Sequence, residues 1–145
     1  MSYDVTVMFG ARGSITLERA TVLLCRITGI PFAPSGKRPE LEASGFGVRF
    51  DLHGRFGFVK SIESEPVEDL DWQLDLNAKS SSGIIHPLGF WLAERLSLET
   101  SGRTVVGLNA VELHAATFER GQPRVQKAEA LHRVSPVGWH LGSGK

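Results

Sequence analysis

Two segments near the start of the chain carry hydrophobic residues with different periods. From residue 3 to residue 9, apolar side chains occupy every second position, which places one apolar row on one face of a sheet. From residue 17 to residue 27 they recur at spacings of three and four, the pattern of an amphipathic helix. Gly29 suits the left-handed residue just beyond a helix, and Pro31 prevents further helix. The sequence therefore predicts a strand, a glycine-containing turn and a helix that together form the scaffold.

The middle of the chain contains a predicted loop and further predicted strands. Residues 30 to 44 include three prolines and several charged residues, a composition that predicts a solvated loop and a candidate contact surface. Apolar residues alternate again over 46 to 52 and over 56 to 62, which predicts a hairpin with its turn at residues 53 to 55. Residues 71 to 76 alternate apolar side chains with acidic or amide side chains, so we predict a third strand that exposes carboxylates.

The C-terminal half predicts a second helix and more strands. Pro87 suits the first turn of a helix, and the apolar residues after it have the spacing of an amphipathic helix that ends near Gly102. Residues 104 to 108 predict a strand. Residues 111 to 118 fit either a strand or a helix, and we favour the strand.

The predicted elements together indicate the fold class. After a turn at residues 121 to 123, the pattern of residues 125 to 134 allows a strand or a short helix. The order of elements predicts an α+β fold, with a twisted, mainly antiparallel sheet and two amphipathic helices on one face. We expect one domain over residues 1 to 141, followed by a flexible tail at residues 142 to 145.

The composition is that of an ordinary globular chain. Its 145 residues suffice for one domain with one core, and 41% hydrophobic and 22% charged residues argue against disorder or a coiled coil. Sixteen basic residues balance sixteen acidic residues, so no overall field attracts nucleic acid or an anionic membrane. The single cysteine, the absence of a secretory signal and the lack of a long apolar run favour the cytoplasm and no membrane partner.

The turn between the first strand and the first helix is a candidate anion site. Backbone N–H groups at Gly10, Gly13 and Ser14, the start of the helix and the guanidinium of Arg12 could together hold a phosphate or a carboxylate. The turn lacks the glycine spacing of dinucleotide-binding loops and the lysine of mononucleotide-binding loops. A plain connection between strand and helix is the alternative interpretation.

No other group of residues predicts catalysis, a cofactor or a bound metal. Glu129 and His132 have the spacing of metal ligands on one helix, but the second copy that such a site requires is missing. Glu112 and His114 share a strand face, where an exposed pair is the simpler interpretation. Cys25 falls inside a predicted helix, where we expect packing and not reactivity. We therefore predict no catalytic residue, no metal site and no cofactor, and we favour a binding protein over an enzyme.

A run of acidic residues is the strongest candidate for function. Between residue 63 and residue 75, here called the acidic segment, no lysine or arginine occurs. Clustered carboxylates speed association with a basic partner, and an aromatic side chain beside them can anchor it. The residues predicted to bind such a partner are Glu63, Glu65, Glu68, Asp69, Asp71, Trp72 and Asp75. The alternatives are a solvated acidic face and a tryptophan that belongs to the core.

In size, low cysteine content, acidic strand and lack of a catalytic motif, the chain resembles small bacterial immunity proteins and antitoxins. The resemblance implies an inhibitor that blocks a toxin or effector by covering a basic surface with the acidic segment. A small enzyme or ligand-binding domain that uses the turn at residues 10 to 14 is the second hypothesis. A subunit of a homo-oligomer is the third.

Overall fold

The computed structural model describes residues 3–36, 40–54, 59–78, 84–108 and 111–127. Within these ranges the chain forms the predicted α+β domain, in which two helices lie against an antiparallel sheet of eight strands. In chain order the elements are β1 (Tyr3–Ala11), α1 (Leu17–Thr28), β2 (Ala33–Pro34), β3 (Leu41–Gly45), β4 (Val48–Gly54), β5 (Ser61–Ile62), β6 (Glu65–Pro66), β7 (Leu70–Ala78), α2 (Ile85–Glu99), β8 (Arg103–Leu108), β9 (Leu113–Glu119) and β10 (Gln122–Gln126). The sheet has the order β10-β9-β8-β1-β7-β4-β3-β2, and β5 and β6 form a separate hairpin.

The two helices begin and end close to where the sequence predicts them. Oγ1 of Thr16 accepts a hydrogen bond from the backbone N–H of Arg19 at 3.1 Å and so caps the start of α1. Gly29 has a φ of 73° and donates its N–H to the carbonyl of Cys25, so the chain leaves the helix at the predicted residue. α2 begins two residues before Pro87.

Both helices cover the same face of the sheet, and the main core lies between the helices and that face. On β1 the side chains of Val5, Val7 and Phe9 point into this core and are at most 1% exposed. α2 lies close to the strand, because a Cβ added at Gly89 would be 2.5 Å from Cγ1 of Val5. A larger residue at position 89 would therefore push the helix away from β1.

Part of the opposite face is covered by the β5–β6 hairpin and the residues that follow it. Ile62, Val67 and Leu70 pack with Met8 and Val105 in a second, smaller core, in which all five residues are at most 1% exposed. These contacts hold the chain between residues 61 and 70 on the sheet. The backbone that carries the acidic residues of that stretch is consequently held against the sheet.

Residues 30 to 44 are not the solvated loop that their composition predicts. The stretch contains β2, which pairs with β3 in antiparallel register. Ile30, Phe32 and Leu41 are at most 7% exposed and belong to the main core. The prediction was wrong because the stretch is polar on average, and its average composition conceals these three apolar side chains. Residues 37 to 39 lie outside the described ranges.

The hairpin predicted over residues 46 to 62 is also wrong. β4 pairs with β3 on one side and with β7 on the other, and the tight turn lies at Phe46 and Gly47, between β3 and β4. These two residues have positive φ values of 59° and 75°, as a two-residue hairpin turn requires. A phenylalanine is uncommon in that conformation, so the sequence gives a weak turn signal there. Residues 55 to 58, which include part of the predicted turn, lie outside the described ranges.

The predictions for the C-terminal part are confirmed where strands were favoured. β9 confirms the strand assignment over residues 113 to 118, whereas residues 111 and 112 form a turn. The turn predicted at residues 121 to 123 lies instead at Arg120 and Gly121, both with positive φ. β10 follows it directly, which confirms the strand alternative for the start of the next stretch. The chain from residue 128 onward, with the predicted tail, lies outside the described ranges.

Candidate functional site

The acidic segment begins on the β5–β6 hairpin and continues along β7, which confirms the predicted third strand. The side chains at positions 72, 74 and 76 lie on the face of the main core. The odd-numbered residues between them face the opposite side, because side chains alternate along a strand. The acidic residues thus lie on the hairpin, on β7 and, for Glu68 and Asp69, in the turn between them.

Arg103 on β8 holds the acidic hairpin against the sheet. Its Nη1 donates to Oε2 of Glu65 at 2.7 Å and to the carbonyl of Pro66 at 2.8 Å, and its Nη2 donates to Oδ1 of Asp69 at 2.6 Å. The Arg103 and Glu65 side chains are 16% and 20% exposed, whereas Asp69 is 59% exposed. Charge-assisted bonds of this kind are stronger than neutral ones, so Arg103 both neutralises part of the segment and fixes its shape.

Glu63 ties the same hairpin to β9. Its Oε1 accepts a hydrogen bond from the backbone N–H of His114 at 2.6 Å and lies 3.3 Å from Nζ of Lys127. The bond from the His114 backbone, followed by the lysine, lowers the pKa of Glu63. The His114 ring is buried, with Nε2 at 2.8 Å from Oγ1 of Thr117, and burial lowers the pKa of His114. The contacts at this junction therefore favour the ionised form of Glu63 and the neutral form of His114.

Asp71 joins the acidic segment to the predicted anion site. Its Oδ2 accepts a hydrogen bond from the N–H of Gly13 at 2.7 Å, so a carboxylate of the protein itself occupies this donor. Nη2 of Arg12 donates to the carbonyl oxygen of Glu68 at 2.7 Å. The turn thus holds an internal anion, Asp71, and binding of an external phosphate or carboxylate stays a prediction.

The remaining residues of the turn and Trp72 make structural contacts. The N–H and the hydroxyl of Ser14 donate to the carbonyl of Ala11 at 2.8 and 2.6 Å. A Cβ added at Gly10, which has a φ of 85°, would be 2.8 Å from Cδ1 of Trp72. Nε1 of Trp72 donates to the carbonyl of Ile15 at 2.9 Å. Trp72 is partly buried and fastens the turn to β7, and its predicted role as a partner anchor stays a prediction.

Asp75 lies in a polar cluster on the sheet face opposite the helices. Its Oδ1 accepts hydrogen bonds from Oγ1 of Thr6 at 2.9 Å and from Nε2 of Gln73 at 3.2 Å, and its Oδ2 lies 3.2 Å from Nε2 of His53. The carboxylate is 25% exposed, and its burial is the main cause of its raised pKa. A basic partner would have to compete with these three neighbours for Asp75.

The outward charge of the acidic segment comes from a subset of its carboxylates. Glu63 and Asp69 are 40% and 59% exposed, and Glu68 is also exposed. Arg103 and Lys127 form ion pairs with the segment, but its six carboxylates outnumber these two cations. Sequence reasoning missed both cations because they lie 34 to 64 residues away along the chain, beyond what a local charge pattern reports.

The described residues offer no arrangement suited to a metal. Within these ranges no group of three or more His, Cys, Asp or Glu residues could hold one. Sγ of Cys25 accepts a hydrogen bond from the N–H of Phe32 at 3.4 Å, and this cysteine is partly buried, in line with the packing role predicted for it. Glu129 and His132 lie outside the described ranges.

Within the described part of the chain, no helix is long and apolar enough to cross a membrane. Comparisons with protein-family models, curated proteins and solved structures give no match. The geometry of the residues described above is therefore the basis for a functional proposal.

Proposed function

We propose that the protein is a non-enzymatic binding module that recognises a partner protein through its acidic segment. The main support for the proposal is that the backbone of this segment is held against the sheet while some of its carboxylates face solvent. Arg103 and the smaller core hold the hairpin on the sheet, while Glu68 and Asp69 stay exposed. The partner presents a basic surface, because complementary charge raises the association rate and suppresses wrong partners.

The ordered hairpin supports this role because it lowers the entropic cost of binding a partner. A surface that is ordered before association loses less conformational entropy when the partner binds. Glu65 and Asp69 are oriented by Arg103 in the free protein, and Ile62 and Val67 anchor the backbone beneath them. These two carboxylates therefore meet the partner in one arrangement.

An immunity-type role in the cytoplasm is the specific form of the proposal. The protein neutralises a toxin or effector by covering its basic surface. A toxin that acts on an anionic substrate carries a surface of this charge, and an acidic hairpin that covers it excludes the substrate. Such an inhibitor requires no catalytic group of its own.

Capture of the partner from an extract of the cells that encode the chain tests the proposal. The immobilised protein should retain a basic protein at low salt and release it at high salt, because salt screens exposed charges. Glu68→Lys reverses one exposed charge and leaves the hydrogen bonds of Arg103 intact. The matched control, Glu94→Lys, reverses an exposed charge on α2.

The expected result is weaker capture by Glu68→Lys and unchanged capture by Glu94→Lys. Equal retention by both variants would exclude the acidic segment as the binding surface. Once the partner is purified, its activity should fall to the background level in an equimolar mixture. Full activity of the partner inside a stable complex would reject the inhibitor role and keep the binding role.

A further inference from the structure

The β5–β6 hairpin is held on the main sheet by side chains. In the described part of the chain its two short strands pair with each other and not with a strand of the main sheet. Its attachments include the smaller core, the ion pair between Arg103 and Glu65, and a hydrogen bond to Glu63. At its turn Glu63 and Ser64 have φ values of 46° and 76°, a left-handed conformation that is strained in residues other than glycine. A short, strained segment with such attachments opens more readily than core strands do.

His114 lies on the sheet face that this hairpin covers. It is paired with Gly107 on β8, and the side chains of directly paired residues lie on the same face of a sheet. A Cβ added at Gly107 would be 3.1 Å from Cδ1 of Ile62, which belongs to the hairpin. The backbone N–H of His114 also donates to Glu63 at the hairpin turn. His114 is 4% exposed, so the hairpin helps to keep its ring away from water.

Burial decides which charge state of the His114 ring the closed hairpin favours. It lowers the pKa of His114 and outweighs the charges nearby. Among these, Glu65 and Glu63 of the hairpin favour the protonated ring, and Lys127, just after β10, opposes it. Hydrogen bonding fits either state, because the hydroxyl of Thr117, 2.8 Å from Nε2, can donate to a neutral nitrogen or accept from a protonated one. The closed hairpin therefore favours the neutral ring.

We propose that His114 is a pH-sensitive switch that controls whether the β5–β6 hairpin lies on the sheet. The neutral ring tolerates burial, and the hairpin stays closed. The protonated ring is more stable in water, so proton binding favours the open hairpin. When the hairpin is open, His114 binds a proton near pH 6.5, as a solvated histidine does. The closed hairpin is thus fully favoured above about pH 6.5, and it loses this advantage as the pH falls through that value.

The switch has a consequence for partner binding, and this consequence rests on the proposed function. The hairpin carries Glu63 and Glu65 and leads into the exposed residues Glu68 and Asp69. An open hairpin no longer holds these carboxylates in one arrangement, so a basic partner should bind more weakly below about pH 6.5. The pKa of Glu63 is lowered from 4.5, so this carboxylate keeps its charge when His114 titrates. Weaker binding would then follow from lost order and not from a lost charge on Glu63.

Amide hydrogen exchange, measured by NMR on the intact protein between about pH 7.5 and about pH 5.0, tests the proposal. Each exchange rate is divided by the intrinsic rate at the same pH to give a protection factor. The reporter is the N–H of Val67, which donates to the carbonyl of Lys60 at 2.9 Å across the hairpin. A hairpin this short is not stable alone, so the Val67 amide exchanges once the hairpin leaves the sheet.

The Val67 amide should be less protected than the amides of β1 throughout this range. Its protection factor should fall several-fold as the pH is lowered. The fall is limited to about 30-fold at pH 5.0, the value for a histidine that titrates at 6.5 in the open form and stays neutral in the closed form. The comparison of Val67 with β1 is made within the parent protein and requires no variant.

Two variants identify the group that binds the proton. His114→Gln keeps a polar side chain beside Thr117 but does not titrate, so the protection factor of Val67 should no longer depend on pH. The matched control, His53→Gln, removes a partly exposed histidine beside Asp75 on another part of the sheet. It should keep the pH dependence of the parent protein. Each variant keeps its fold if its amide spectrum matches that of the parent.

Two results would overturn the proposal. Equal protection of Val67 and β1 at every pH would show that the hairpin opens only when the whole protein unfolds. The same fall in protection in His114→Gln as in the parent would show that another group binds the proton. Neither measurement uses a partner, so failure here leaves the proposed binding function standing.

Discussion

Replacement of Arg103 by methionine is expected to lower the free energy of unfolding by about 2–3 kcal/mol. The arginine makes two hydrogen bonds to carboxylates and one to a carbonyl, and methionine keeps most of the apolar stem. Breaking a fully buried ion pair costs about 3–5 kcal/mol, and an exposed pair contributes about 0–1 kcal/mol. Arg103 and Glu65 are 16% and 20% exposed and Asp69 is 59% exposed, so the expected loss lies between these limits.

Urea unfolding followed by circular dichroism measures this loss, since the free energy depends linearly on denaturant concentration. The matched control is Arg124→Met, which breaks an ion pair with Glu119 whose side chains are 58% and 41% exposed. The control should change stability by less than about 1 kcal/mol. A loss no larger for Arg103→Met than for the control would refute the conclusion that Arg103 holds the hairpin on the sheet.

Three other perturbations follow from the same structure. Gly89→Ala should destabilise the protein by about 1–3 kcal/mol in thermal unfolding, because the new Cβ would clash with Val5 of β1. Gly102→Ala should be nearly neutral in the same assay, because its Cβ would meet its nearest atom at 3.4 Å. Burial lowers the pKa of His114 in the folded protein from 6.5, so the unfolded state takes up a proton first as the pH falls. The free energy of unfolding should therefore decrease below about pH 6.5. The decrease should be smaller in His114→Gln, as measured by urea unfolding across this range. Asp71→Ala should cost about 0.5–1.5 kcal/mol, because it removes a hydrogen bond to the backbone N–H of Gly13 that water can only partly replace. Glu68→Ala, at an exposed side chain, should stay within about 0.5 kcal/mol in the same assay.

The first helix shows which features the sequence predicts well. Its apolar spacing and its end at Gly29 both act within a few residues, and the structure contains both. The hairpin prediction for residues 46 to 62 depended instead on which strands pair with one another. β4 pairs with β7, from which it is separated by the β5–β6 hairpin. The alternation of apolar and polar residues predicts which side chains of a strand share a face, but it does not predict which strands pair with that strand.

The acidic segment shows that prediction from sequence has the same limit at the candidate site. Its carboxylates are evident in the sequence, but their partners are Arg103, Lys127 and the N–H of Gly13. These groups come from distant parts of the chain and are brought together by the sheet order. The ion pair between Arg26 and Glu99, which joins the two helices, was missed for the same reason, because these residues lie 73 residues apart along the chain.

The association rate constant of the captured partner, measured as a function of salt, tests the central claim most directly. For the parent protein and for Glu94→Lys, the rate should fall steeply as salt rises, because exposed charges are screened. For Glu68→Lys, the rate at low salt should be several-fold lower and its dependence on salt shallower. The same rates and the same salt dependence in all three proteins would contradict binding through the acidic segment.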